Sequence, residues 1–199
     1  MKKLIAALLA LALILSGAAL ADAAPQIAAE AIDFGDFTME LDPEMPGEIY
    51  DKVSGEMLFQ IYPAYRVNGD ESSNVNCVWV DEAMDFDAFA DETAQAQLAE
   101  ELLQNVLAGF EEANMKTDDL TVLLYGLVEQ DGVPGFAVVY SVDVDYSGMG
   151  IDLQATLYQE LAYLSDEAFG TYIFTATAVD MDTLTDILEP LFDTIAWSK

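Results

Sequence analysis

Histidine is absent from the 199 residues, cysteine occurs once, and lysine and arginine together number six. Each scarcity removes a class of chemistry. Without histidine there is no Ser-His or Cys-His pair to activate a nucleophile, and no zinc site built from cysteines and histidines. The lone Cys77 forbids an intramolecular disulfide. Inside Val75-Asn76-Cys77-Val78-Trp79-Val80 it reads as a small buried apolar residue. Six basic residues against 37 acidic ones give a net charge of −31. Such a chain has too few cations to displace counterions from a phosphate backbone, and anionic headgroups repel it. Nucleic acid and anionic membranes are therefore excluded as partners. No glycine-rich phosphate loop with a following lysine occurs. The expectation is a protein that is not an enzyme, with no catalytic residue and no cofactor-binding motif.

The acid excess does not mean disorder, because 53% of the residues are hydrophobic and 11% aromatic, whereas disordered acidic chains are poor in both. Lys2 and Lys3 precede an apolar run from Leu4 to Leu15, followed by small residues around Ala19-Leu20-Ala21. This is the pattern of a secretory signal peptide, and the run falls short of the ~20 residues a membrane span needs. Cleavage near Ala21 would leave four basic residues against all 37 acidic ones. Leu15-Ser16-Gly17 is followed by Ala18 where a lipobox has its cysteine, so the expectation is a secreted or extracytoplasmic protein that is not a lipoprotein. Residues 1–21 read as the signal peptide, 22–33 as a flexible lead-in, and 34–199 as one domain. An acidic, lysine-poor surface also suits high salt, where self-repulsion is screened.

Alternation and turn residues predict strands over 37–41, weakly 48–52, 57–62 and 74–81, with a polar loop from Arg66 to Ser73. Phe86, Ala90, Ala94, Leu98, Leu102, Val106 and Phe110 recur every four residues. They predict one long amphipathic helix, capped by Asp85 or Asp87. Four strands follow, over 120–128, 136–146, 151–164 and 171–179, joined by short glycine-containing turns that imply antiparallel hairpins. Asp180 or Asp182 opens a final helix, with a kink expected at Pro190.

Three stretches carry a family likeness: Asp36-Phe37-Thr38-Met39-Glu40-Leu41-Asp42-Pro43, Val133-Pro134-Gly135-Phe136-Ala137-Val138-Val139-Tyr140, and Thr171–Thr177 leading into Leu191-Phe192-Asp193-Thr194-Ile195. With the element order, they resemble the PsbP-like group. The resemblance implies an α+β protein, an α/β/α sandwich with a central, mainly antiparallel sheet over about residues 34–199. It brings no functional residue, since the fold hosts unrelated functions.

The one local pattern suggestive of a cation site is Asp143-Val144-Asp145-Tyr146-Ser147-Gly148-Met149-Gly150-Ile151-Asp152. Asp143, Asp145 and Asp152 are its candidate Ca2+ ligands, because calcium takes hard oxygen donors. Gln154 stands where a bidentate glutamate is expected, and the flanks read as strands, so an acidic hairpin face is the competing reading. Asp81, Glu82, Asp85 and Asp87 read as helix-terminal electrostatics. Tyr62, Tyr65, Tyr140, Tyr158 and Tyr163 read as core rims rather than a binding platform. The leading functional expectation is an exported, acidic, non-enzymatic binding or accessory domain with a protein or cation partner. The alternatives are a Ca2+-responsive structural protein and a carboxylate-based hydrolase.

Overall fold

The computed structural model describes residues 30–41, 46–68 and 72–198, the side chains of 66–68 excepted. The expected signal peptide, the lead-in up to residue 29, and much of the proline turn after Leu41 lie outside the described residues. Among the described residues, ten strands form two sheets. The large one has seven strands: β3 (Gly47–Ile49), β4 (Glu56–Ile61), β5 (Asn74–Val80), β6 (Lys116–Gln130), β7 (Val133–Asp145), β8 (Gln154–Asp166) and β9 (Gly170–Ala178). Their spatial order is β3-β4-β5-β9-β8-β7-β6, all pairs antiparallel. The small sheet holds β1 (Glu30–Asp33), β2 (Phe37–Leu41) and β10 (Ala196–Trp197), in the order β1-β2-β10.

Antiparallel hairpins follow from the turns. Gly132 and Gly170 take positive φ angles of 78° and 87° at the β6–β7 and β8–β9 connections, a region that only glycine enters freely. The β8–β9 turn is also tight. A Cβ on Gly170 would stand 2.3 Å from the Val80 carbonyl oxygen.

One apolar cluster lies under the helix α2 (Glu92–Glu112), where Leu98, Leu102, Leu103, Val106 and Phe110 meet Phe136, Val138, Tyr140, Leu161 and Ile173 of the sheet. A second cluster holds the opposite face of the same strands. There Ala137, Ala162, Leu164, Tyr172, Phe174 and Ala176 meet Phe37 and Met39 of β2, Leu184 and Leu188, and Trp197. β8 and β9 are thus apolar on both faces, as strands buried on both sides are.

Several expectations need correction. The long helix does not begin at Phe86. Asp85 caps a short 3-10 turn over Phe86–Phe89, and Asp91 then caps α2 by accepting from the Thr93 and Ala94 N–H groups. An aspartate cap that satisfies two orphan donors starts a helix more effectively than continuity of the apolar stripe. The 57–62 strand ends before Pro63, and Pro63 opens α1 (Pro63–Asn68), which takes the first residues of the loop expected from Arg66 to Ser73, since a proline at the first helical position lacks only a donor the helix does not use. Glu30–Asp33, the end of the supposed lead-in, is strand, bonded to β2. β6 is longer than 120–128, and β8 starts at Gln154 rather than Ile151 because a 3-10 turn, Tyr146–Met149, widens the connection. The final helix runs without a break from Met181 to Phe192 and contains Pro190 as expected, but it is not uniform. The run consists of α3 (Met181–Thr183), a π-helical turn (Leu184–Leu188) and α4 (Glu189–Phe192), with Pro190 in the first turn of α4. The Glu189 N–H reaches back five residues to the Leu184 carbonyl, so the irregularity falls before the proline.

A row of uncharged polar side chains crosses the α2 face of the sheet. Tyr140 donates to Gln159 Oε1, and Gln159 Nε2 donates to Thr177 Oγ1 at 2.6 Å. In the neighbouring row, Asn76 Oδ1 and Thr175 Oγ1 are buried and have no hydrogen-bond partner among the described residues. An orphaned buried hydroxyl costs its desolvation without return. Thr175→Val keeps the shape and removes the orphan, so urea unfolding should show stability raised by about 1 kcal/mol. A loss of that size would mean that Thr175 bonds a group in the folded protein.

Candidate functional site

Glu160 sits on β8 with its side chain on the second apolar face, beside Ala162 and opposite Ala176 of β9. It lines a cleft of about 350 Å³ between the sheet and the C-terminal helical run. Val128, Ala137, Ala162, Leu164, Phe174, Pro190 and Phe192 supply apolar walls. Glu129 and Gln130 close one rim from β6; Thr185, Glu189 and Asp193 close the other. Among the described residues, no lysine or arginine lines it.

The electrostatics follow from this placement. Glu160 Oε2 is buried and has no hydrogen-bond partner among the described residues. Burial pushes the carboxyl up to about 7, and the charges of Glu189 and Asp193 add to the rise. Glu189 is raised as well, by burial first and by Asp193 second. The cleft therefore collects carboxylates on apolar walls without a counter-cation, a setting in which an arriving positive charge would take the place of a proton.

The cation candidates are arranged differently. Asp143 accepts a 2.6 Å bond from the Thr156 hydroxyl. Asp145 caps the 3-10 turn through the Ser147 N–H at 2.8 Å and lies 3.8 Å from the Lys116 ammonium. The Ser147 bonds, with a smaller contribution from Lys116, hold the Asp145 carboxyl below the usual carboxylate range. Both line an open cleft that also holds Lys116 and Asp118, whereas Asp152 is not part of its lining and is exposed in the following loop. Among the described residues, no group of three or more Asp, Glu, Cys or His side chains is placed to hold a metal ion. The structure thus joins Asp143 and Asp145 and leaves Asp152 apart, because the 3-10 turn carries the chain away before β8 begins.

The other candidates have structural partners. Asp81 bonds the Ser54 hydroxyl at 2.9 Å, and Asp85 caps its turn. Cys77 is fully buried, and burial raises its thiol well above the usual value. Tyr140 and Tyr163 lie in the core itself rather than at its rim; Tyr62, Tyr65 and Tyr158 are half-buried. Lys52 is held beside the second apolar cluster. Its ammonium pairs with Asp36 and stands 4.1 Å from the Trp79 ring centroid and 5.2 Å from that of Tyr172. Tyr172 also donates to Asp36 at 2.7 Å. Burial opposes ionisation of Asp36, but the bonds from Lys52 and Tyr172 and the Lys52 charge together hold its carboxyl low.

No family model matches the chain, and no curated protein does. Among solved structures, the solution structure of cyanobacterial PsbP (CyanoP) from Synechocystis sp. PCC 6803 superposes with a TM-score of 0.55 at 10% identity, covering 90% of this chain and 98% of that one. The fold is PsbP-like. Two other solved structures superpose less well. The Saccharomyces cerevisiae Ran-binding protein Mog1p gives 0.43 at 16% identity, covering 78% of this chain and 79% of that one. A Pseudomonas aeruginosa protein of unknown function gives 0.37 at 10% identity, covering 86% and 99%. At such identities the PsbP-like likeness bears on the fold alone. The Glu160 cleft is a feature of this chain's own residues.

Proposed function

We propose that this is an exported, non-enzymatic binding or accessory domain, folded as an α/β/α sandwich. Its Glu160 cleft would hold a cationic side chain, an ammonium or guanidinium on an apolar stem, presented by a partner protein. The observation that carries this reading is the unpartnered Glu160 carboxyl oxygen in a cleft with apolar walls and no basic residue. Buried carboxylates are normally paired, and Glu160 Oε2 has no partner among the described residues. Glu129, Glu189 and Asp193 at the rims would steer a basic surface toward it. The signal-peptide pattern of residues 1–21 supports a meeting outside the cytoplasm.

The test uses the lysine side chain alone. n-Butylammonium is titrated against the protein at constant ionic strength and followed by NMR shifts of the β8 amides, with n-butanol as the neutral match. Binding should strengthen from pH 6 to pH 8 as Glu160 releases its proton, and Glu160→Gln should abolish it. Equal binding of n-butanol, or unchanged binding by Glu160→Gln, would sink the proposal.

A further inference from the structure

β6 is the outer strand of the seven-stranded sheet, and among the described residues it pairs with β7 alone. Edge strands that stay unpaired in solution are usually short, charged or interrupted. β6 runs for 15 residues, and from Leu120 to Val128 it carries no charge. Its large apolar side chains stand out on both faces. Val122, Tyr125 and Leu127 lie on the α2 side at 40–43% exposure, and Leu124 and Val128 lie on the other at 67% and 39%. Its pairing with β7 is irregular up to Leu124 and unbroken from Leu124 to Gln130. The outer edge of that regular part is free to extend the ladder.

We propose that this edge pairs with β6 of a second copy of the chain, joining two seven-stranded sheets across a two-fold axis. Three observations favour a second copy. The first is self-complementarity. Antiparallel pairing about Gly126 sets Leu124 opposite Val128 and Tyr125 opposite Leu127, so each face meets its own kind, as an isologous contact requires. The second is charge. Copies of a chain with net charge −31 repel one another, and this strip lets them touch without bringing carboxylates together. Between Leu120 and Val128 the strand itself offers a basic partner no carboxylate. The third is area. The exposed parts of Val122, Leu123, Leu124, Tyr125, Leu127 and Val128 amount to roughly 500 Å² per copy, so pairing at this edge buries at most about 1,000 Å² for the two copies, the size of a weak interface. An apolar cleft of about 250 Å³ between α2 and β6, lined by Leu103, Leu107 and Leu120, adjoins the strip.

The dimer is weak and strengthens with salt, because salt screens the repulsion that opposes it. Sedimentation velocity of the protein, purified as the producing cell processes it, tests this over a concentration series in low and high sodium chloride. The mass should double with concentration, and at lower concentration in high salt. Leu124→Lys should weaken self-association by about tenfold or more. It should leave thermal melting of the monomer unchanged, since that side chain is two-thirds exposed. Leu153→Lys, equally apolar at 52% exposure but outside the strip, should leave the dimer intact. A paired Leu124→Cys, Val128→Cys variant should cross-link between copies on oxidation. A protein that stays monomeric at every concentration and salt level would overturn the proposal. So would a dimer that survives Leu124→Lys.

Discussion

Phe37→Ala should lower stability by about 3–5 kcal/mol, the range for truncating a buried phenylalanine. Phe37 is fully buried on β2, and its ring lies 4.9 Å from Phe34, 5.2 Å from Tyr172, 5.6 Å from Phe174 and 5.2 Å from Trp197. These rings come from both sheets, so Phe37 joins the small sheet to the large one. β2 is also the central strand of the small sheet, bonded to β1 on one side and to β10 on the other. At this chain length the loss corresponds to a fall in melting temperature of roughly 6–20 °C. The damage should be local first. Amides of β1, β2 and β10 should exchange with deuterium faster at temperatures where β8 and β9 remain protected. Phe37→Leu keeps most of the volume and should cost well under half as much. If Phe37→Ala melts within about 1 kcal/mol of the parent, the small sheet is not held through this cluster.

That joint was only partly legible in the sequence. Phe37 and Met39 alternate visibly, and β2 was read from them. Its partners are segments of four and two residues, Glu30–Asp33 and Ala196–Trp197, too short to express a period. The four-stranded meander was legible because its turns need glycine and its strands are long. α2 was legible from its stripe, but its true start was not, because Asp91 competes with Asp85 only through the geometry of the donors it caps. β6 misleads in a different way. An uncharged stretch with apolar residues on both faces reads as a central strand, yet it lies at the sheet edge.

The candidate site was hidden for another reason. Glu160 is one of 37 acids, and nothing in its neighbourhood matches a ligand motif. A signal was nonetheless present. In Leu157-Tyr158-Gln159-Glu160-Leu161-Ala162-Tyr163-Leu164 both alternating sets are largely apolar, so the strand is buried on both faces and Glu160 stands inside. The aspartates at 143, 145 and 152 drew attention through spacing, but spacing on a hairpin does not bring ligands together when a helical turn intervenes.

Glu160→Gln should stabilise the protein at neutral and higher pH and do nothing in acid. The folded protein holds the Glu160 proton up to about pH 7, whereas an ordinary glutamate releases it near 4.5. Between those values the folded state binds more protons than the unfolded one, so stability falls as pH rises through this window. Above it the cost levels off at about 3–4 kcal/mol, given ~1.4 kcal/mol per pKa unit over a rise from 4.5 to about 7. Gln carries no charge at any pH and escapes that cost. Urea unfolding at pH 8 should therefore show the variant more stable by about 3–4 kcal/mol, and at pH 4 the two proteins should coincide. Glu189→Gln should reproduce part of the gain, because Glu189 adds to the rise at Glu160. A variant no more stable than the parent at pH 8 would show that Glu160 is ionised and well solvated there, and the cleft would lose its claim to a cation. If the gain is found, the chain keeps a carboxylate that weakens its own fold, in a cleft that offers it no counter-charge. The n-butylammonium titration then gains a second readout. A bound ammonium should recover stability in the parent protein at pH 8, by an amount set by its concentration relative to its dissociation constant, and recover none in Glu160→Gln.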